Sequence, residues 1–340
     1  MKEKKAFIRN DEKPVQKKRF IIQSLFVLLV IWIGIEFHFF INSLEAGAAE
    51  LAFRPPGVEG FLPISALMSF FYYILSGHIH PVHPAGLFIL TAIIAVSLFA
   101  GKSFCSWLCP IGYIVEMAGE FGEKIFGKRI KPWKWLDYPL RSLKYLLLFF
   151  FASSIFAMSA MELRAFLDSP YNIVADIKMY EFFSNISMFS FIVISVLLLL
   201  SVIIRNFWCR YLCPYGALLG IVSFLSPAKI KRNKQTCIDC ALCTKVCPSS
   251  ISVDKAGIVI SDECTSCLNC VDVCPVKDAL IVQEVITKKK IEKKYVYAGI
   301  VLTFVIITGA AMLFGWWNNQ VHDSDYKRLY NNRGLIDHAS

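Results

Sequence analysis

All twelve cysteines of this 340-residue chain fall into two repeated patterns. The segment Thr236 to Pro248 carries Cys237, Cys240, Cys243 and Cys247. The segment Glu263 to Pro275 carries Cys264, Cys267, Cys270 and Cys274, offset by 27 residues at every cysteine. Each is a Cys-x2-Cys-x2-Cys-x3-Cys-Pro run. Soft thiolates at this spacing in a tight loop hold [4Fe–4S] clusters, and the fourth cysteine of each run ligates the other cluster. Cluster one is then expected on Cys237, Cys240, Cys243 and Cys274, and cluster two on Cys264, Cys267, Cys270 and Cys247. Pro248 and Pro275 turn the chain away from the ligand loops. Four-cysteine zinc sites and disulfides are the competing uses of such residues.

The other four cysteines repeat at longer range. Phe104 to Gly112 matches Trp208 to Gly216, 104 residues later, with Cys-x3-Cys-Pro-x-Gly in both copies. Cys105 and Cys109, like Cys209 and Cys213, stand four apart and would share one face of a helix. Together they offer four thiolates to a third cluster or to another thiophilic metal such as copper(I). Two reversible dithiols, or reduced cysteines that only pack, are the alternatives. Trp107, Trp208 and Tyr211 beside them read as interfacial anchors.

The elements that must position these residues are membrane helices. Hydrophobic residues make up 56% of the chain and charged ones 18%, which excludes disorder and fits ordinary soluble folds poorly. Five apolar stretches, about 20–41, 84–101, 143–161, 184–204 and 295–317, are long enough to span a bilayer. A sixth, 62–76, is short, contains Pro63, and reads as re-entrant or interfacial. The first span reads as an uncleaved anchor, since its apolar run exceeds a signal peptide's core. Residues 1–19, 102–144 and 205–294 hold 30 of the 36 Lys and Arg residues. Five spans place all three segments on one side, the cytoplasmic one. The net charge of +10 is therefore a topology signal and nucleic acid is excluded as a partner. Lys288 to Lys290, Lys293 and Lys294 read as membrane-surface charges.

The domain plan follows: a basic cytoplasmic N-terminus (1–19), a membrane domain with two Cys-x3-Cys-Pro hairpins (20–228), a ferredoxin domain (229–287), a basic linker with the fifth span (288–317), and an outer-side tail (318–340). Five polar residues are expected near the outer ends of the helices. Glu36, His38 and His83 are the candidate quinone or proton site, with His78 and His80 nearby, because a quinol must lose two protons as it gives up electrons.

The two Cys-x3-Cys-Pro-x-Gly motifs, followed by the two-cluster ferredoxin segment, resemble the membrane polyferredoxins. That family includes the quinol-oxidising subunit of periplasmic nitrate reductase, the membrane regulator of nitrous-oxide reductase, and an oxidase-assembly cupric reductase. The resemblance covers about residues 20–285. It implies electron transfer between the quinone pool and a protein partner, as one subunit of a larger complex with other iron–sulfur or haem proteins. The expected fold is an α-helical integral membrane protein, with two repeated hairpins plus a terminal anchor and an inserted α+β bacterial-type 2[4Fe–4S] ferredoxin domain. Its place is the cell membrane of a bacterium or archaeon. The second functional reading is a cupric or other metal reductase, or a maturation factor for a respiratory metalloenzyme, that uses the Cys-x3-Cys-Pro thiolates. Alkaline phosphatase fused after Ser340 should be active and fused after Gln283 inactive; the reverse pattern would overturn this orientation.

Overall fold

The computed structural model describes residues 8–130 and 132–332. Residues 1–7 of the basic N-terminus and 333–340 of the outer tail lie outside the described residues. The chain forms two compact units, 1–27 with 94–148 and 196–303, and 28–93 with 149–195 and 304–340.

In chain order the elements are α1 (Gln16–Glu45), α2 (Pro63–Ser76), α3 (Pro84–Ala100), α4 (Phe104–Trp107), α5 (Pro110–Phe126), α6 (Lys134–Phe156), α7 (Ala160–Leu167), α8 (Pro170–Ile173), α9 (Ala175–Ser184), α10 (Met188–Ile203), α11 (Pro214–Ser223), β1 (Ala228–Arg232), α12 (Leu242–Val246), α13 (Asn269–Asp272), β2 (Leu280–Glu284), β3 (Lys290–Ile291), α14 (Lys293–Leu313) and α15 (Asp323–Asn331). Among the described residues α1, α14 and Trp135–Phe156 of α6 are long and apolar enough to cross a membrane. The pair α9 and α10 adds a fourth candidate, bent by 82°. The expected span over 184–204 corresponds to α10, which starts at Met188; Ala175 to Ser184 before it forms its own helix, and the chain turns at Asn185 to Ser187. The expected span at 84–101 is α3, whose 17 residues reach about 26 Å at 1.5 Å per residue, just under the hydrocarbon thickness of about 30 Å. The short α2 opens on Pro63 and stops at Gly77, whose φ of 72° closes the helix with a left-handed cap. Leu25, Leu29, Trp32, Phe149, Phe150, Leu199 and Ile306 point outward from these helices. Exposed apolar area on this scale marks contact with lipid. The protein is a membrane protein.

In the first unit β1 pairs antiparallel with β2, Ile230 opposite Val282, and β2 continues into β3. Short β-like runs follow both ferredoxin repeats, Ile251 to Val253 and Ala279 to Val282, and duplicated units would be expected to pair them, but the partner of the second run is β1. Residues 251–253 form no strand, because Ser250 takes a positive φ of 55° and the Val253 amide turns back to Ile251 O. The first repeat contributes residues 257–259 instead, which bond to the other edge of β1 through Arg232 N to Gly257 O and Val259 N to Ile230 O. The N-terminal segment is also more than a topology signal. Lys277 N donates to Ile8 O, Asn10 N to Pro275 O and the Val15 amide to Asp272, so residues 8–15 run along the second ferredoxin loop.

A buried ion cluster joins three stretches of this unit. Arg19 grips both oxygens of Glu116 at 2.8 and 2.9 Å, and Arg205 reaches Glu116 at 3.0 Å. Burial works to raise the Glu116 pKa, but the two guanidinium groups win and hold it below the usual carboxylate range. Removing one partner of such a buried pair costs about 3–5 kcal/mol. Gly119 and Gly122 permit this contact, since a Cβ at Gly122 would meet Val202 O at 1.8 Å.

The second unit has two apolar cores. One gathers Phe37, Phe40, Ile41, Val174, Ile177 and Tyr326, and the other Met68, Ile155, Leu163 and Leu167. Beside the first, Arg54 bonds to the fully buried Glu59 at 3.0 Å and Asp176 at 2.7 Å.

Candidate iron–sulfur sites

The ferredoxin loops repeat their backbone as well as their cysteines. Asp239 and Ala241 in the first copy, and Ser266 and Leu268 in the second, all take positive φ between 48° and 63°. For non-glycine residues this conformation costs about 1–3 kcal/mol each and persists only where the surroundings impose it. Alternating such residues turns successive amides toward one side, which is how a loop cradles an anionic centre.

Two cavities result. Cys237, Cys240, Cys243 and Cys274 line one, with Val276, Ala279 and Leu280 behind them. Cys264, Cys267, Cys270 and Cys247 line the other, against Ile230, Val253 and Val259. The fourth cysteine of each run thus stands in the cavity of the opposite copy. The two differ in exposure: Cys240 is open to solvent, whereas Cys247, Cys267 and Cys270 are buried. Arg232 Nε donates to Cys237 Sγ at 3.2 Å in the open cavity. Burial pushes the Cys264 thiol up to about 12 in the closed one.

Side-chain donors hold the outward carbonyls of these loops. Asn10 reaches Cys274 O, Gln16 Cys267 O, Arg129 Cys247 O and Arg210 Ser249 O. Arg210 is itself paired with Asp137 at 3.0 and 2.9 Å. None of these donors was singled out from the sequence, because each is far along the chain from the carbonyl it holds.

The Cys-x3-Cys-Pro pairs depart from the expected single helix. Cys105 lies in α4 and Cys209 in a π-helical turn over Trp208–Leu212, while Cys109 and Cys213 cap the next helix with extended backbone, ψ 120° and 108°. The prolines are the cause, since the residue before a proline is driven out of the helical region. Each capping thiol then accepts from the amide of the motif's glycine, Gly112 N at 3.4 Å and Gly216 N at 3.3 Å. The two breaks are nearly superimposable in dihedral angles, and the four thiols lie within electrostatic reach of one another. Burial pushes Cys105 up to about 11 and Cys109 up to about 12. Burial at these positions favours the thiol over a free thiolate, whereas a bound metal centre would favour the thiolate.

A small cavity is lined by Cys105 and Cys209 together with Cys267, Thr265 and Pro248, with Arg19 and Glu116 in its wall. Ser106 Oγ donates to Thr265 O at 2.6 Å and Trp107 Nε1 to Ser266 O at 3.1 Å. Trp107 and Tyr211 are 0% exposed, which corrects their reading as interfacial anchors. Their polar tips are bound to protein, Tyr211 to Asp137 at 2.5 Å, and they pin loops rather than face lipid headgroups.

The outer polar residues do not form one site. His83 is buried, donating from Nε2 to Asn172 O at 2.7 Å with Nδ1 3.4 Å from Glu59. His80 is buried against Asp168 at 3.2 Å, and burial lowers its pKa despite that carboxylate. His38 is exposed and lies 2.5 Å from the Tyr180 hydroxyl and 3.1 Å from Asn42. Glu36 is half-buried two residues earlier on α1, and His78 is exposed beside Ser76 O at 2.7 Å.

The two motif glycines should differ in tolerance. A Cβ at Gly112 would stand 2.1 Å from Cys105 O, whereas at Gly216 the nearest atom, Cys209 O, is 3.2 Å away. Gly112→Ala is expected to lower the iron content and thermal stability of the purified protein, and Gly216→Ala to change both much less. Equal effects would show that the close approach at Cys105 does not matter.

Comparison with known proteins agrees with this geometry. A family model described as a 4Fe-4S binding domain matches twice, at residues 82–129 and 186–233. The two matches are 104 residues apart, the offset of the Cys-x3-Cys-Pro repeat. A 4Fe-4S dicluster domain matches residues 229–276. The chain is 41% identical to YccM of Escherichia coli (strain K12), named as an electron transport protein, over 97% of this chain and 94% of that one. It is 27% identical to the ferredoxin-type protein NapH of Haemophilus influenzae over 57% and 68% of the two chains. With the methylamine utilization ferredoxin-type protein MauN of Methylorubrum extorquens the identity is 25%, over 66% and 76%. No solved structure matches the chain. Near full-length similarity to one relative, with the iron–sulfur domains matched at the cysteine loops, means that the chain belongs to the family of membrane-associated ferredoxin-type electron-transport proteins.

Proposed function

We propose that this protein relays single electrons through three [4Fe–4S] clusters, between the quinone pool and a redox partner, as a subunit of a respiratory-type complex. Cys237, Cys240, Cys243 and Cys274 hold the first cluster, Cys264, Cys267, Cys270 and Cys247 the second, and Cys105, Cys109, Cys209 and Cys213 the third. The observation that carries this reading is the cavity shared by Cys105, Cys209 and Cys267, which puts the membrane thiols next to the second ferredoxin site. A cluster there would continue the chain of carriers toward the membrane, and the open site at Cys240 would face the partner.

A copper(I) reductase or maturation role would use the same four thiols differently. A single tetrahedral ion at about 2.3 Å from each sulfur requires the ligands to converge closely. Among the described residues no three His, Cys, Asp or Glu side chains do so. The 4Fe-4S binding model that matches both Cys-x3-Cys-Pro segments favours a cluster.

The reading includes five spans with the ferredoxin domain in the cytoplasm and the C-terminus outside; the one-sided distribution of Lys and Arg supports it. Oxidation of a quinol releases two electrons, passed on singly, and two protons. His38, exposed and paired with Tyr180, is the accessible acceptor for such a proton, whereas His83 is committed to Asn172 and Glu59.

Iron and acid-labile sulfide in anaerobically purified protein test the cluster count. About twelve iron atoms per chain are expected, falling to about eight in Cys209→Ala, at four irons per cluster. About eight in the unaltered protein would leave the membrane thiols without a cluster. Quinol-driven reduction of the clusters should slow at least tenfold in His38→Gln while dithionite reduction is unchanged; wild-type quinol kinetics would remove His38 from the pathway.

A further inference from the structure

Two lysines are buried next to the membrane cysteines. Lys102 is 2% exposed and Lys144 0%. Lys144 is neutralised, since its ammonium bonds to Glu263 and lies 3.6 Å from Asp262. Lys102 is different. Among the described residues no carboxylate stands within 4.0 Å of its ammonium. Glu263 acts on it only at longer range and is already engaged by Lys144. The Lys102 ammonium instead lies against the second Cys-x3-Cys-Pro turn, 3.5 Å from where a Cβ on Gly216 would stand. Cys105, Cys209 and Cys213 are all within its electrostatic reach.

An ammonium taken out of water is costly unless an anion compensates it. The four thiolates of an iron–sulfur centre are an anionic group in the right place. That group becomes more negative by one charge with each electron it accepts. A fixed positive charge beside it favours the reduced form, and net charge is one of the terms that set cluster potentials.

We infer that the Lys102 ammonium is the counter-charge of the centre held by Cys105, Cys109, Cys209 and Cys213, and that it raises the reduction potential of that centre relative to the ferredoxin clusters. This rests on the third cluster proposed above. Lys102 is a positioning residue in this role: it touches no substrate and acts through the field at the sulfurs. The electron is drawn toward the membrane side of the cluster chain by a charge that the fold has enclosed and left for the centre to balance.

The test is an EPR-monitored redox titration of the full-length protein, with iron analysis, in wild type, Lys102→Gln, Lys102→Arg and Cys209→Ala. The signal that Cys209→Ala removes identifies the third centre. In Lys102→Gln that signal should titrate at a more negative potential while the other two midpoints stay in place, and Lys102→Arg should keep the wild-type value. An unchanged midpoint in Lys102→Gln, or an equal shift in both variants, overturns the inference. If Lys102→Gln fails to assemble the centre and Lys102→Arg assembles it at the wild-type midpoint, the charge requirement stands. Loss of the centre in both variants overturns it. A wild-type protein with no signal removed by Cys209→Ala would refute the third cluster itself, a result distinct from all of these.

Discussion

Three of the four cysteine loops, those of Cys105, Cys237 and Cys264, are held from outside by their carbonyl groups. A loop that aims its amides at thiolates must leave its carbonyls pointing away, and buried carbonyls need donors. Those donors come from remote segments: Arg19 on Ser106 O, Gln16 on Cys267 O, Arg129 on Cys247 O, Arg210 on Ser249 O. Trp107 and Ser106 do the same for the second ferredoxin loop through Ser266 O and Thr265 O. The inward-facing amides are then available to the sulfurs, as Gly112 N and Gly216 N are to Cys109 and Cys213. The rest of the first unit is arranged around this division of the backbone.

The cationic donors bring a second requirement, because each is buried or half-buried and must be neutralised. Arg19 and Arg205 share Glu116, Arg210 takes Asp137, Arg129 takes Glu123, and Lys144 takes Glu263. All but the Arg129–Glu123 pair join segments tens of residues apart in the chain, so the pairing fixes which hairpin end meets which loop. The second unit uses the same device without cysteines, in Arg54 with Glu59 and Asp176.

The two ferredoxin sites are alike in sequence and unlike in environment. The one around Cys240 is open, and Arg232 donates directly to Cys237. The one around Cys267 is closed and backed by the tryptophan of the first membrane motif. Solvent exposure and hydrogen bonds to sulfur both tune cluster potentials, so identical ligand spacing does not imply identical clusters.

Local spacing determined much of this protein. Cys-x2-Cys-x2-Cys-x3-Cys-Pro needs only a dozen residues to fix its loop, and a 20-residue apolar run needs only the bilayer to fix its helix. The duplicated motifs, the membrane character and the ferredoxin segment were therefore legible in the amino-acid order. What was misread depended partly on local breaks, at Pro110 and Ser250, and partly on contacts between distant residues. Cys105 and Cys109 were placed on one helix until Pro110 is seen to break it, and Trp107 and Tyr211 were taken for lipid anchors until their polar atoms are seen bound to Ser266 O and Asp137. Residues 257–259, not 251–253, reach the sheet because the turn at Ser250 delays the strand. Glu36, His38 and His83 share a chemistry but are separated by the burial of His83 behind Arg54 and Glu59. Residue type and spacing decide what a segment can bind; which charges are enclosed beside it, and which of them remain for a ligand to balance, is decided only when the chain has packed.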